Sequence, residues 1–590
     1  MTTLAAQAAA PLHMPADAPQ NKGISKEEAN ARIRSLKEAR SDFEDRWKEI
    51  RDYQLPFLGC FSDAGDDTSP ARRRDTKIID STCWLSVETF GAGIMSGLTP
   101  PSRQWFKLGF SRSDTEEDVE AMRILDERQK IVEHYLHRSN FYNCVHACYM
   151  ELPFGQAPIG IFASDETGIR FQNYTIGTYY LGMGAGGRVN TFARKFRMSA
   201  SQIAEQFGEE HLPHSVRDAL QNHATRYKPN FDIWWLVMPN RQRSHGAGGN
   251  RNMPYASLYW VDGAGGEDFL YVGGFEEFPV PVARFQVNGT SVYGMGPGWY
   301  AEGDAKQIQV LKKDFLRAIE LSVKPPMVGP SDLQRINLTP GAYVKENLAS
   351  SQLAVRPLFQ VNTNIEGLAA EVREEQQTIQ RHYYADMFLL IASTVDMPQK
   401  TAQEVRSLQQ EKLQKLGPVV ERLQDEFLSP IIERVYNILE RRGAFPPIPE
   451  EIAERMADEE VKIEYISPLA QAQKLSGLVN IEQGAAFAAQ IASVWPDAAK
   501  KIDPVGTVSE YFKLLGVPGS VQRATEDVEA MIQQEQQMAA QQEEMQAQMA
   551  MMQAAAPAAQ AAKNLTEAAH DGNPALQNLM GITDAGMSSI

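Results

Sequence analysis

The densest grouping of side chains able to hold a metal or attack a substrate lies between residues 134 and 148: His134, His137, Cys144, His146 and Cys148. Imidazoles and thiolates are the ligands zinc prefers, but structural zinc sites usually place two cysteines close together at a turn. Here Cys144 and Cys148 stand one helical turn apart on one face of an apolar stretch, beside Phe141, Tyr142, Val145 and Tyr149. Thiols in such company are core residues, so no metal site is expected. Two glycine strings, Gly182-Met183-Gly184-Ala185-Gly186-Gly187 and Gly294-Met295-Gly296-Pro297-Gly298, have the composition of phosphate-cradling loops. Neither follows a strand in a strand-helix-strand context, and Pro297 removes an N–H that a phosphate-binding helix end needs, so both are expected to be turns. The G-x-x-x-x-G-K-S/T, H-E-x-x-H and G-x-S-x-G patterns are absent, and carboxylates are spread along helices rather than paired. A structural protein without a cofactor fits this pattern better than an enzyme.

The elements that must position these residues begin with a chain of 590 residues, well past the roughly 250–300 at which one core stops growing. Several packed regions are expected. The formal charge is −17, which disfavours a protein whose task is gripping nucleic acid but is permissive for one that DNA slides past. All four cysteines, Cys60, Cys83, Cys144 and Cys148, lie in the first quarter, so no disulfide framework holds the rest. No uncharged apolar run reaches the ~18 residues of a membrane span and no leader pattern is present, so the expectation is a soluble chain in a reducing compartment, with no membrane partner.

Residues 1–22 read as a flexible arm. Ser25 and Glu28 then form a capping-box pattern ahead of Ile33, Leu36, Phe43, Trp47 and Ile50, one apolar helical face. The loop from Arg51 to Asp80 carries Arg72, Arg73 and Arg74, read as a solvated or subunit-facing charge cluster with DNA contact as the alternative. Helices are expected over 84–98, 118–138, 141–152 and 199–207, a strand over 105–110, and further strands and turns over 154–197 and 231–300. This half is α+β, built of antiparallel pieces.

The second half is mainly helical. A helix over 302–323 ends at Pro325-Pro326, a proline-rich insertion with short β-like runs follows, and a second helix is expected over 365–391. A break at 392–400 contains Pro398. Thr401 and Glu404 then repeat the capping-box pattern, opening a helix to Arg442 that Pro418 and Pro430 must kink. Met531, Met538, Met545 and Met552 are spaced by seven, as in a bundle of identical helices, the alternative being a solvated low-complexity helix. Residues 554–590 read as a disordered tail.

Several segments in order resemble the portal, or head-to-tail connector, family of short-tailed bacteriophages. They are Asp80-Ser81-Thr82, Gly91 to Gly93, Ser96 to Pro101 with Trp105-Phe106, Ser139 to Tyr142, Gly155-Gln156-Ala157, Met198 to Ile203, Pro279-Val280-Pro281 and Tyr293-Gly294. The resemblance implies a mainly helical portal fold with an α+β wing (23–300), stem helices (301–323 and 365–391), a small β-containing clip (324–364) and a tunnel loop (392–400). A long kinked helix completing the wing (401–465) and a crown with a helical barrel (466–553) would follow. It also implies a closed ring of about twelve copies at one capsid vertex of the virion, assembled in the host cytoplasm. Double-stranded DNA would pass through it non-specifically. The partners implied are the terminase large subunit, tail adaptor proteins, scaffold and internal core proteins, and the capsid protein. The tunnel-loop residues would be Asp396, Met397, Pro398 and Lys400, the alternative being an ordinary helix connection between subunits. Glu371, Arg373, Glu374 and Glu375 would face the channel. The rival reading is another oligomeric virion component, such as a scaffold or internal core protein.

Overall fold

The computed structural model describes residues 23–61, 75–110, 119–210, 212–243, 249–263, 269–325, 327–328, 356–357, 364–388, 416–448 and 461–466, with short helical pieces between 484 and 564. Met1–Arg112 with Arg123–Lys501 make one compact unit, and Ser113–Met122 with Ile502–Ile590 a second. In the second unit the described residues are helical, and Met531, Met538 and Met545 are exposed. Residues 560, 563 and 564, within the stretch read as disordered, are helical as well.

The first unit opens with helix α1 (Lys26–Tyr53), whose start is set by Ser25: its Oγ accepts the Glu28 N–H at 3.2 Å. The Glu28 carboxylate, which the capping-box pattern would turn back on Ser25, accepts instead from Gln242 Nε2 at 3.3 Å. Helix α2 (Thr82–Leu98) leads to strand β1 (Phe106–Phe110), then α3 (Val119–Arg138) and α4 (Phe141–Glu151). Strands β2 (Gln156–Ser164), β3 (Gly168–Asn173), β4 (Tyr179–Met183) and β5 (Val189–Met198) follow, then α5 (Ala200–Phe207) and α6 (His214–Gln221). Strands β6 (Phe231–Pro239), β7 (Tyr255–Val261), β8 (Tyr271–Phe275) and β9 (Val282–Arg284) complete the β-rich part.

Strands β4 to β8 form an antiparallel five-stranded meander, and β3, β2 and β9 form a three-stranded sheet in that order. Strand β6 reads Phe231-Asp232-Ile233-Trp234-Trp235-Leu236-Val237-Met238-Pro239, with no polar alternation after Asp232, because both faces of the meander are covered. Trp235 lies opposite Tyr259, rings 5.7 Å apart, in the core shared with Phe192, Phe162 and Tyr174. Trp234 lies opposite Trp260 on the other face, under Ala29, Ile33 and Leu36 of α1. The far half of α1 buries Trp47 and Ile50 in the first core. One amphipathic helix thus serves two cores.

A one-turn helix α7 (Pro297–Tyr300) precedes α8 (Glu302–Val323). The short strands β10 (Met327–Val328) and β11 (Arg356–Pro357) pair antiparallel and bring together the two ends of the insertion. Helix α9 (Ile365–His382) follows, and a helix over 416–423 passes through one π-turn at Gln424–Leu428 into α10 (Ser429–Arg441). Proline at 430 has no N–H for the preceding turn, and the widened π-turn absorbs the mismatch there. Strand β12 (Val461–Tyr465) pairs with β1, residue 465 opposite 106, joining segments some 350 residues apart.

The helix expected over 365–391 is interrupted rather than continuous: α9 ends at His382, residues 383–384 form a turn, helix resumes over 385–388, and 389–391 lie outside the described residues. Tyr384 has φ of 56°, the sole positive value outside glycine among the described residues. The cause is side-chain anchorage. The Tyr383 hydroxyl donates to Gln54 Oε1 in the core, and the Phe388 ring lies on Gly93 of α2, where a Cβ would stand 2.1 Å from it. The left-handed residue, costing about 1–2 kcal/mol outside glycine, lets both anchors seat.

Candidate channel and ring-forming surfaces

At the root of the α8–α9 pair lies a buried polar knot built on Asp80. The Ile79 and Asp80 N–H groups donate to Gln309 Oε1 of α8 at 2.6 and 2.8 Å, and Gln309 Nε2 donates back to the Asp80 carbonyl at 3.1 Å. The carboxylate accepts from the Thr82 N–H (2.9 Å) and from Gln376 Nε2 of α9 (2.9 Å), with Lys312 Nζ at 3.8 Å. One aspartate therefore caps α2 and ties together both long helices. His382 at the end of α9 meets Asp304 at the start of α8, Nε2 to Oδ2 at 2.9 Å, so the two run antiparallel. Asp80, Gln309 and Gln376 were not singled out for this role. Asp80 lies in the Asp80-Ser81-Thr82 signature, and that was the available signal.

Of the channel candidates on α9, Glu371, Arg373 and Glu374 are exposed and Glu375 is half-buried. Burial raises the Glu375 pKa, and the negative charges of Asp304, Glu371 and Glu374 raise it further. The α9 surface carries Glu366, Glu371, Glu374 and Glu375 against Arg373, Arg381 and His382, a small acidic excess. It offers phosphate little to hold. Helix α8 buries only Ala305, Ile308 and Gln309, while Val310, Leu316 and Val323 remain 58%, 49% and 70% exposed. Leu316 and Val323, seven residues apart, share a face. Asp396, Met397, Pro398 and Lys400, and the second capping pattern at Thr401, lie outside the described residues.

Arg72, Arg73 and Arg74 also lie outside the described residues. The cysteine and glycine candidates resolve into packing. Cys144 and Cys148 are buried thiols whose Sγ atoms point to the Phe171 and Pro158 carbonyls at 3.5 and 3.9 Å, and burial raises both pKa values. All four cysteines are free, and among the described residues no group of three His, Cys, Asp or Glu is placed to hold a metal. The first glycine string closes the β4–β5 hairpin. The second carries backbone against backbone: a Cβ on Gly155, itself at φ +116°, would lie 2.0 Å from the Gly294 oxygen, and one on Gly296 2.1 Å from the Leu152 oxygen.

A set of arginines missed in the sequence fastens α10 to the sheets. Arg434 stands on the buried face with Ile431, Val435 and Ile438, and donates to the Ile161 and Glu277 carbonyls (3.1 and 3.0 Å) and to Glu277 Oε2 (3.0 Å). Arg284 makes a bidentate pair with Glu426 at 2.6 and 2.8 Å. Arg188 pairs with Asp425 at 2.7 Å. Arg188, Asp425, Glu426, Glu277 and Arg434, with Glu433, line a cavity of about 240 Å³ between the β4–β5 hairpin and α10. An arginine at a core position of an apolar helical stripe was the signal for Arg434.

Known proteins with the same sequence pattern complete this picture. A "Portal protein" of Salmonella phage epsilon15 is 33% identical over 512 residues, 86% of this chain and 90% of its own length. A "Probable portal protein" of Bordetella phage BPP-1 is 29% identical over 489 residues, covering 82% and 86%. The family described as bacteriophage head to tail connecting protein matches residues 26–522, which take in the Asp80 knot, both long helices and the β1–β12 pair. The chain belongs to the bacteriophage head to tail connecting protein family.

Proposed function

We propose that this chain is the portal subunit of a short-tailed phage, closing into a ring of about twelve copies at one capsid vertex, through which the genome is packaged and ejected. The observation that carries this reading is similarity to a portal protein along nine-tenths of that protein's length. The apolar positions left open on α8 support it. Cyclic rings need one patch of a subunit to meet a different patch of the next, and an exposed apolar helix face beside a charged one supplies such a patch. The role is structural rather than enzymatic.

Within this reading, residues 324–364 are the clip, docking the terminase large subunit during packaging and tail adaptor proteins later. Residues 392–400 are the tunnel loop, with Asp396 offsetting Lys400 so that contact with passing DNA stays weak. Residues 365–391 present Glu371, Arg373, Glu374 and Glu375 to the channel. Scaffold, internal core and capsid proteins would meet the wing. Native mass spectrometry and negative-stain micrographs of the purified chain test the ring: closed rings with an axial opening are expected. Monomers and dimers alone across a wide concentration range would overturn it.

A further inference from the structure

Among the described residues from 23 to 466, the large side chains that lack a polar atom and stay exposed fall in two groups. Phe57, Ile79 and Leu85 lie around the start of α2, and Val310, Leu316 and Val323 lie on α8. Single exposed apolar residues are ordinary, but grouped ones mark a surface that something covers. At α2 the Phe57 and Trp84 rings meet edge to face, 5.3 Å apart. From Leu85 the open face runs on through Ala92 and Ser96 at helical spacing. Glu88 is the sole charged residue of this helix, and its Oε1 accepts from Trp84 Nε1 at 2.8 Å.

Helix α8 carries the opposite sign. From Val310 to Lys324 the basic residues Lys312, Lys313, Arg317 and Lys324 stand against Asp314 and Glu320, in a chain whose formal charge is −17. Lys313, Arg317 and Lys324 are exposed and form no ion pair among the described residues. Their spacings of four and seven put them on one face, turned away from the buried Ile308, with Leu316 and Val323 along its flank. The Asp80 knot fixes α2 and α8 to one another within one compact unit, and neither patch covers the other.

We infer that the α2 face of one copy, Phe57, Leu85 and Ala92 with Glu88 at its edge, receives the α8 flank of the next copy, Leu316 and Val323 beside Lys313 and Arg317. The occupant follows from sign and symmetry. Packing α2 on α2 would set Glu88 against Glu88, and packing α8 on α8 would set one basic stripe against another, so like charges oppose both. Either contact is also its own partner and stops at two copies. Packing α2 on α8 joins apolar to apolar and carboxylate to cation. It leaves one unused patch of each kind at the two ends of every growing assembly, the heterologous geometry that a ring needs. The small side chains of Ala92 and Ser96 admit a second helix at an axial separation of roughly 8–10 Å. The inference rests on the portal reading for the existence of a ring, and goes beyond it in naming both faces.

The test uses two full-length variants, Leu85→Asp with Ala92→Asp on α2, and Leu316→Asp with Val323→Asp on α8. Each alone should give monomers by native mass spectrometry where the wild type gives rings, with an unchanged circular dichroism spectrum. Mixed in equal amounts they should form one-to-one dimers and nothing larger, since each brings the intact face that the other lacks. Rings from the α2 variant, or a mixture of folded variants that stays monomeric, would overturn the inference. A second measurement avoids any effect of aspartate on folding: Ala92→Cys with Leu316→Cys in one chain, treated with a short bis-maleimide. The four native cysteines are buried, so the introduced thiols react first. The double variant should yield a ladder of covalent multimers on denaturing gels, and each single variant only monomer. Dimers from a single variant would show a self-paired contact and count against the inference. Rings without a ladder reject the α2–α8 contact alone, whereas absence of rings from the wild type rejects the portal reading.

Discussion

Glu151 carries a cost at one residue that the rest of the fold offsets. It closes α4, is fully buried beside Cys148 and Tyr179, and accepts the Ile176 N–H at 2.9 Å, anchoring the turn before β4. Burial outweighs those hydrogen bonds and pushes its pKa up to about 8. The folded state therefore holds a proton that the unfolded chain, near 4.5, gives up. This stabilisation is complete below about pH 4.5 and is lost progressively as the pH rises toward 8, on the order of 5 kcal/mol in all. Glu151→Gln keeps an acceptor oxygen without the titration. Thermal melts should show a wild-type midpoint falling from pH 5 to 8 more steeply than the variant's, and parallel curves would contradict the assignment.

Among the elements, α8 combines a short buried root with a long open flank. Ala305, Ile308 and Gln309 fix it to the core and the Asp80 knot, while Leu316 and Val323 stay exposed among the described residues. If the flank is the patch that meets a neighbouring copy, Leu316→Asp with Val323→Asp should leave the secondary structure unchanged. Circular dichroism would check that point. The rings should convert to monomers, because burying two carboxylates at an interface costs several kcal/mol per subunit. Rings of normal size from that variant would place the contact elsewhere. The break after α9 acts in the other direction: Tyr383 and Phe388 lock the end of the helix into α1 and α2, giving the segment that follows a fixed point of departure.

For the whole molecule, the assignments of clip and tunnel loop are open to one packaging experiment. Deletion of 327–360 should leave rings that no longer bind the terminase, since β10 and β11 already bring the ends of the insertion together and the ring-forming helices are untouched. Asp396→Gly with Met397→Gly should leave rings and terminase binding intact but yield empty or leaking heads. Terminase bound by the deletion variant would remove the clip assignment. Normal filling and DNA retention in the loop variant would remove the tunnel loop.

The α+β character, the helix limits at Ser25, Ser199 and Glu302, and the turn at the first glycine string were legible in the sequence because each depends on neighbours within one or two turns. The second string, expected to be a turn, instead opens α7, because Pro297 needs no N–H partner at the first helical position. The family was legible too, since the order of many weak segments is itself a long-range signal. Tertiary structure alone decided what lies far apart in the chain. Asp80 joins Gln309 and Gln376, Arg434 reaches Glu277, and β1 finds β12, and no local pattern encodes a partner more than a hundred residues away. The same reason explains the break in the α9 helix at 383–384. Its periodicity continues past His382, but two distant anchors, Gln54 and Gly93, outweigh the helical preference of Tyr384.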